Sequence, residues 1–133
     1  MQDQNLLDIF GPVISRYTRA QAIEDGLFVD PGEMAKEAGF KFPVALTRAV
    51  WEKYVTVPPG VIGQDETGRL WDVLQMLRYG IRISQPGQEI IWFRLHVRND
   101  NRAGDPPLVT LRAQCGPGDE GEPVITIMLR DED

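Results

Sequence analysis

The chain from residue 90 to residue 98 alternates strictly between apolar side chains and aromatic or cationic ones. Successive side chains of a β-strand point to opposite sides of the sheet, so this alternation predicts a strand with two different faces. The apolar face carries Ile91, Phe93, Leu95 and Val97. The other face carries Trp92, Arg94, His96 and Arg98. Such a strand must be covered on one side only, and its second face is a candidate binding surface.

The segment before this strand has the period of a helix instead. Apolar residues at i, i+3 and i+4 spacing predict a helix from about Glu66 to Ile83, and Pro86-Gly87 ends it. Gly80 costs about 1 kcal/mol relative to alanine, so it marks a point where this helix can break. The core stripe consists of Leu70, Val73, Leu74, Leu77 and Ile81.

Three shorter helices are predicted upstream. Thr18 is a suitable N-cap for a helix over residues 19–25. Asp30-Pro31 has the sequence of an N-cap followed by proline at the first helical position, and that helix ends at Gly39. A third helix is predicted from about Pro43 to Val55.

Downstream, the period of two continues in three strands, at about residues 89–98, 108–115 and 123–130. The connections between them are too short for crossovers, so we expect an antiparallel meander. The predicted fold is therefore α+β, with a three-stranded antiparallel C-terminal sheet packed against three to four N-terminal helices. Its length of 133 residues favours a single domain, with residues 1–15 as a flexible or docking segment.

In the second strand, Arg112 falls on the same side as Thr110 and Gln114. Symmetric pairing about the loop places Arg94 opposite Arg112 and Trp92 opposite Gln114. Like charges at directly opposite positions cost up to about 1 kcal/mol, so either a nearby acid or an anionic ligand is expected to offset them. The candidate ligand-binding residues are Trp92, Arg94, His96, Arg98 and Arg112.

Charge is distributed unevenly along the chain. The whole protein has a net charge of −6, yet residues 69–114 contain seven bases, all arginine, against four acids. Arginine offers a planar fork of donors that suits phosphate or carboxylate. The alternative is structural, with these arginines paired to the acidic segments on either side. A net negative charge argues against nucleic acid as a partner, and the acidic end at residues 131–133 is most simply a solvated terminus.

Catalytic and metal-binding patterns are missing from the sequence. His96 and Cys115 are the only histidine and cysteine, and the strand alternation places them on opposite sides of the sheet. A Cys–His dyad is therefore not expected, Cys115 is predicted to pack in the core, and no metal or cofactor is expected. The lack of an apolar run of about 18 residues and of a signal peptide predicts no membrane association and a cytoplasmic location.

Four segments together resemble a family of small uncharacterised proteins found in bacteria, plasmids and phages. The segments are residues 17–30, 37–51, 65–72 and 116–129, and the resemblance extends over nearly the whole chain. The resemblance carries no activity or site with it. Its setting on mobile elements implies an accessory or anti-defence role.

Three functional hypotheses follow. The first is a non-catalytic binding protein of a mobile element, which holds an anionic, nucleotide-like ligand or a host protein on the face of Trp92, Arg94 and Arg112. The second is a homo-oligomeric structural or interaction protein. The third is a small enzyme acting on a nucleotide-like substrate, with His96 as acid or base. The missing catalytic set favours the first.

Overall fold

Five strands form one mixed sheet in the computed structural model, which describes residues 17–133. In chain order they are β1 Phe28–Val29, β2 Val44–Thr47, β3 Ile90–His96, β4 Leu108–Pro117 and β5 Pro123–Leu129. Their order in space is β1-β2-β5-β4-β3. The pair β2 and β5 is parallel and the other neighbouring pairs are antiparallel. The predicted flexible or docking segment, residues 1–15, lies outside the described residues.

Four helices accompany the sheet. They are α1 Arg19–Glu24, α2 Glu33–Glu37, α3 Arg48–Val50 and α4 Glu66–Ile83, and α3 continues as a π-helical segment, Trp51–Val55. The α1 helix has the predicted N-cap, since Thr18 Oγ1 accepts a hydrogen bond from Gln21 N and the Gln21 side chain accepts one from Thr18 N. For α2 the N-cap is Gly32 rather than the predicted Asp30, whose carboxylate instead accepts a hydrogen bond from Gly32 N.

The prediction of an α+β fold with a C-terminal meander is confirmed, but a sheet of only three strands is wrong. The sheet gains β1 and β2 from the N-terminal half, and β5 is an interior strand between β2 and β4. The predicted helix from Pro43 to Val55 is also wrong in its first turn, because Val44–Thr47 is a strand. All four of its residues are buried and the first three are apolar, so no alternation of apolar and polar residues is visible. Thr47 then N-caps α3.

One hydrophobic core lies between α3, α4 and one face of the sheet. The alternation predicted for β3 is confirmed, since Ile91, Phe93, Leu95 and Val97 are all buried. The interior strands add Leu111, Ala113, Ile125 and Ile127, and β2 adds Val44 and Leu46. We call the opposite face of the sheet the outer face; its side chains include Trp92, Arg94 and His96 of β3, Leu108, Thr110, Arg112 and Gln114 of β4, and Thr126 and Met128 of β5.

Among residues 17–133, α1 covers one end of the outer face. The Arg19 guanidinium reaches across it from α1 and donates to Thr126 Oγ1 at 2.6 Å and to the Ile125 carbonyl at 2.8 Å. Asp119, in the β4–β5 turn, accepts from the backbone N–H groups of Arg19 and Ala20 at the start of α1. These contacts hold α1 over the β5 side of the outer face. Its β3 side keeps exposed aromatic and cationic side chains.

The α4 helix runs unbroken through Gly80, where it comes closest to the sheet. A Cβ atom at Gly80 would lie 3.2 Å from Phe93 Cβ and 3.3 Å from Ile91 Cγ2. Phe93 Cβ cannot move away without its backbone, so a larger side chain here would push the helix off β3. The glycine that weakens the helix locally therefore permits its packing against the sheet.

The end of α3, the start of α4 and the end of β3 meet at one buried arginine. Arg69 is 5% exposed. Its guanidinium donates to the Val55 carbonyl at 3.1 Å, the Arg98 carbonyl at 2.6 Å and Asn99 Oδ1 at 2.7 Å. Burial lowers the pKa of Arg69 below its ordinary range. Three oriented oxygen atoms solvate the cation in place of water.

A valine at Gly80 tests the close approach of α4 to β3. We expect Gly80→Val to lower the free energy of unfolding by about 2 kcal/mol, because the added methyl groups overlap the side chains of β3. The matched control is Thr67→Val, which places the same side chain at an exposed position of α4 and should change stability by about 0.5 kcal/mol or less. Urea unfolding followed by tryptophan fluorescence measures both. Equal stabilities of the two variants would contradict the close packing.

Replacing Arg69 tests its role at the junction. We expect Arg69→Met to lower the free energy of unfolding by about 3 kcal/mol, because three oxygen acceptors lose their donor in a buried place. Arg82→Met, which removes an exposed arginine from the same helix, should cost about 0.5 kcal/mol or less. The same unfolding measurement applies, and a small effect at Arg69 would show that the three acceptors find other donors.

Candidate functional site

The exposed part of the outer face lies on β3, at the edge of the sheet as the structure describes it. Trp92 is 54% exposed, and Arg94 beside it on the same face is also exposed. Two further apolar side chains flank them, Ile90 at 39% and Leu108 at 52% exposure. A large aromatic residue among arginine and aliphatic neighbours is typical of a recognition surface.

The predicted register between β3 and β4 is wrong by two residues. Trp92 pairs with Arg112, Arg94 with Thr110 and His96 with Leu108. A shift of two preserves which face each side chain occupies, so the candidate residues remain on the outer face. The expected repulsion between directly opposed Arg94 and Arg112 does not occur. No anion is therefore needed to offset it.

Two of the candidate residues serve the loop that joins β3 to β4. The Arg98 guanidinium donates to the carbonyl oxygens of Arg102 and Gly104. His96 Nδ1 lies 2.8 Å from the Pro106 carbonyl oxygen. These contacts close the loop from the outer side. The Arg98 guanidinium and the His96 ring, both predicted to bind a ligand, are therefore engaged within the protein.

Arg112 anchors the C-terminal turn. Its guanidinium donates to the backbone carbonyl of Glu132 and lies 3.4 Å from Met128 Sδ. The Glu132 carboxylate in turn accepts from Thr47 Oγ1 at 2.8 Å and from Leu129 N at 2.9 Å. The end of the chain is thus fastened across β2, β4 and β5. Glu132 is a structural residue and not part of a purely solvated acidic terminus.

In the described part of the chain, the expected pairing of the arginines with the acidic flanks is also not found. Within residues 17–133, only Arg102 of the seven arginines in 69–114 forms an ion pair, and its partner is the neighbouring Asp100. Four others bond to oxygen atoms of backbone carbonyls: Arg69, Arg78, Arg98 and Arg112. Most arginines of residues 69–114 therefore donate hydrogen bonds to backbone carbonyl groups at or near the ends of helices and strands or in loops.

Trp92 and Arg94 remain available, and the structure adds Arg130 to them. Together with Phe93 and Thr110 these residues form a shallow outer depression of about 510 Å³. In the part of the chain that the structure describes, the guanidinium groups of Arg94 and Arg130 form no hydrogen bond and no ion pair. The alternation of β5 already places Arg130 on the side of Thr126 and Met128. Its position directly before the acidic residues 131–133 hides this assignment in the sequence.

The described residues do not form a catalytic constellation around this face. Cys115 is half-buried and packs against the core, while His96 is exposed on the outer face. Burial raises the pKa of the Cys115 thiol, which keeps it protonated at neutral pH. Among residues 17–133, no three side chains of His, Cys, Asp or Glu are grouped as ligands of a metal ion.

The other tryptophans lie on the helices. Trp51 is partly buried against the core, whereas Trp71 on α4 is 38% exposed. No helix between residues 17 and 133 combines the length and the apolar character that crossing a bilayer requires.

The geometry of residues 17–133 thus defines an α+β fold with a helix-covered mixed sheet and an outer edge that carries exposed aromatic and cationic side chains. The chain belongs to a family of unknown function, DUF6573, whose sequence profile matches residues 7–133. This confirms the resemblance to a family of uncharacterised proteins. Comparison with curated proteins gave no match, and comparison with solved structures gave none.

Replacing Glu132 tests whether its hydrogen bonds to Thr47 and Leu129 hold the C-terminal turn in place. We expect Glu132→Ala to lower the free energy of unfolding by about 1–2 kcal/mol, since the buried Thr47 hydroxyl and Leu129 N–H lose their acceptor. Asp133→Ala removes an equal charge next to it and should cost about 0.5 kcal/mol or less. Thermal and urea unfolding compare the two. Identical effects would mean that the terminal acids act only through net charge.

Proposed function

We propose that this chain is a non-catalytic binding protein that docks a partner protein on the β3 side of its outer face. The observation that carries the proposal is the exposed Trp92 in one depression with two arginines, Arg94 and Arg130, that have no acceptor among residues 17–133. An aromatic side chain with adjacent arginines is the side-chain combination that most often contributes binding energy in protein interfaces.

The shape of the surface favours a protein over a small ligand. Small-molecule sites are concave and bury most of their ligand. The outer depression is shallow and only five residues form it. Ile90 and Leu108 extend the apolar area beyond the depression along both strands. A broad partner surface can cover all of these side chains at once.

The charge of the surface defines the chemistry of the partner. Arg94 and Arg130 offer guanidinium donors that a carboxylate can accept in pairs. The complementary surface is therefore acidic, with an apolar patch that faces Trp92. The resemblance to proteins of phages and plasmids supports a host protein as this partner, and blocking a host defence protein is the role that we propose for the complex.

An affinity experiment with paired surface variants tests this function. The tagged full chain is compared with Trp92→Ala/Arg94→Glu and with the control Trp71→Ala/Lys36→Glu, which removes an exposed tryptophan and reverses a charge elsewhere. We expect one identified protein to be retained by the wild type and the control but not by the first variant. With both proteins purified, calorimetry should show at least about tenfold weaker binding for that variant. Binding should also weaken as salt is added.

Three outcomes would contradict the proposal. Equal retention of proteins by all three chains would exclude the outer face as the docking surface. Self-association that is lost in Trp92→Ala/Arg94→Glu would assign the face to a second copy of this chain. Native mass spectrometry showing a bound anion of a few hundred daltons, lost in Arg94→Ala, would instead support the nucleotide-like ligand.

A further inference from the structure

A second and larger cavity lies on the helical side of the sheet, at the end remote from Arg69. Its volume is about 660 Å³, within the range of small-molecule sites. The C-terminal half of α4 and the turn at residues 85–88 form one side, and the α2–β2 connection forms another. The floor is the start of β3 together with the β4–β5 hairpin.

The walls of this cavity are mainly apolar. Phe40 and Phe42 contribute aromatic rings, and Phe42 is half exposed at the opening. The helix and strands contribute Ile81, Ile91, Val124 and Ile125. A ligand that fills this space therefore needs an apolar body.

Three cations line the cavity: Lys41, Arg78 and Arg82. The lining residues that the structure describes include no Asp or Glu, although Lys41 also borders a neighbouring depression that contains Asp30 and Glu33. None of the three forms an ion pair within residues 17–133, although the chain has 20 acidic residues. Cations left unpaired in an acidic protein concentrate positive charge at this opening.

The position of Arg78 is fixed by its neighbours. Its Nη1 donates to the Ala38 carbonyl at 2.6 Å, at the end of α2. A Cβ atom at Gly39 would lie 2.2 Å from that nitrogen, so the guanidinium occupies the space that glycine leaves open. Arg78 is thereby held at the cavity before any ligand arrives, which lowers the entropy lost on binding.

We propose that this cavity binds a small amphipathic anion, with a carboxylate or phosphate head at Lys41, Arg78 and Arg82 and an acyl or aryl body against the phenylalanines. The site is separate from the outer face. Its residues lie on the helical side of the sheet, whereas Trp92 and Arg94 point away from it. The two functions can therefore be tested independently.

Cys115 provides a reporter inside the cavity, because it is the chain's only cysteine and lines the wall. The experiment measures the rate at which N-ethylmaleimide modifies the folded protein in rising concentrations of decanoate, decyl phosphate or decanol. We expect the two anions to slow the reaction in a saturable way and decanol to require at least about tenfold higher concentration. The more protective anion identifies the head group.

Variants of the cavity's cations test whether these side chains cause the protection of Cys115 by the anion. Lys41→Gln/Arg82→Gln should raise the half-protecting concentration of the anion about tenfold or more, since both side chains are exposed and leave the Arg78 contact intact. Arg48→Gln, an exposed arginine outside the cavity, and Trp92→Ala should leave it unchanged. Protection by decanol equal to that by decanoate, protection unaltered in the double variant, or no protection by either anion would overturn the proposal.

Discussion

The fold depends on a charge held away from water. In the described part of the chain, Arg69 is the one buried charged residue. Its guanidinium joins the end of the π-helical segment after α3 to the residues that follow β3. Leaving that cation without acceptors would cost several kcal/mol, so Val55, Arg98 and Asn99 must keep their places around it. This junction fixes α4 over the apolar face of β3. The opposite face of the strand, with Trp92, is consequently directed outward.

Hydrogen bonds from arginine side chains to backbone carbonyl groups recur in other parts of the described chain. Carbonyl groups at the ends of elements have no partner within the element, and arginine reaches them with a long stem and a planar fork. In the described part of the chain, arginine donors reach helix ends at Arg69 and Arg78 and the C-terminal turn at Arg112. Arg98 donates to carbonyl groups of the β3–β4 loop, and Arg19 to the Ile125 carbonyl within β5. A cluster of arginines in the sequence is thus mostly a set of structural supports. The arginines left without such an acceptor carry more information about function than the cluster as a whole.

The candidate site was only partly predictable for this reason. Strand alternation is local, so it correctly assigned Trp92 and Arg94 to an exposed face. Whether an arginine on that face is available depends on which carbonyl lies within reach, and no local pattern contains that information. Arg98 is engaged by its own loop, Arg112 by the chain terminus, and Arg130 joins the surface through the pairing of β5 with β4. The cavity beside Arg78 likewise arises from segments distant in sequence.

Elements whose pattern is local could be predicted from the residues alone. The stripe along α4, the N-cap of α1 and the alternation of β3 to β5 each follow from periods and caps that span a few residues. Tertiary structure decided the rest. The strand β2 is buried on both faces and shows no period, and it becomes a strand only by pairing with β5, as Val44 does with Ile125. That contact joins positions far apart along the chain, and its stability comes from the shared core and not from the residues of β2 alone.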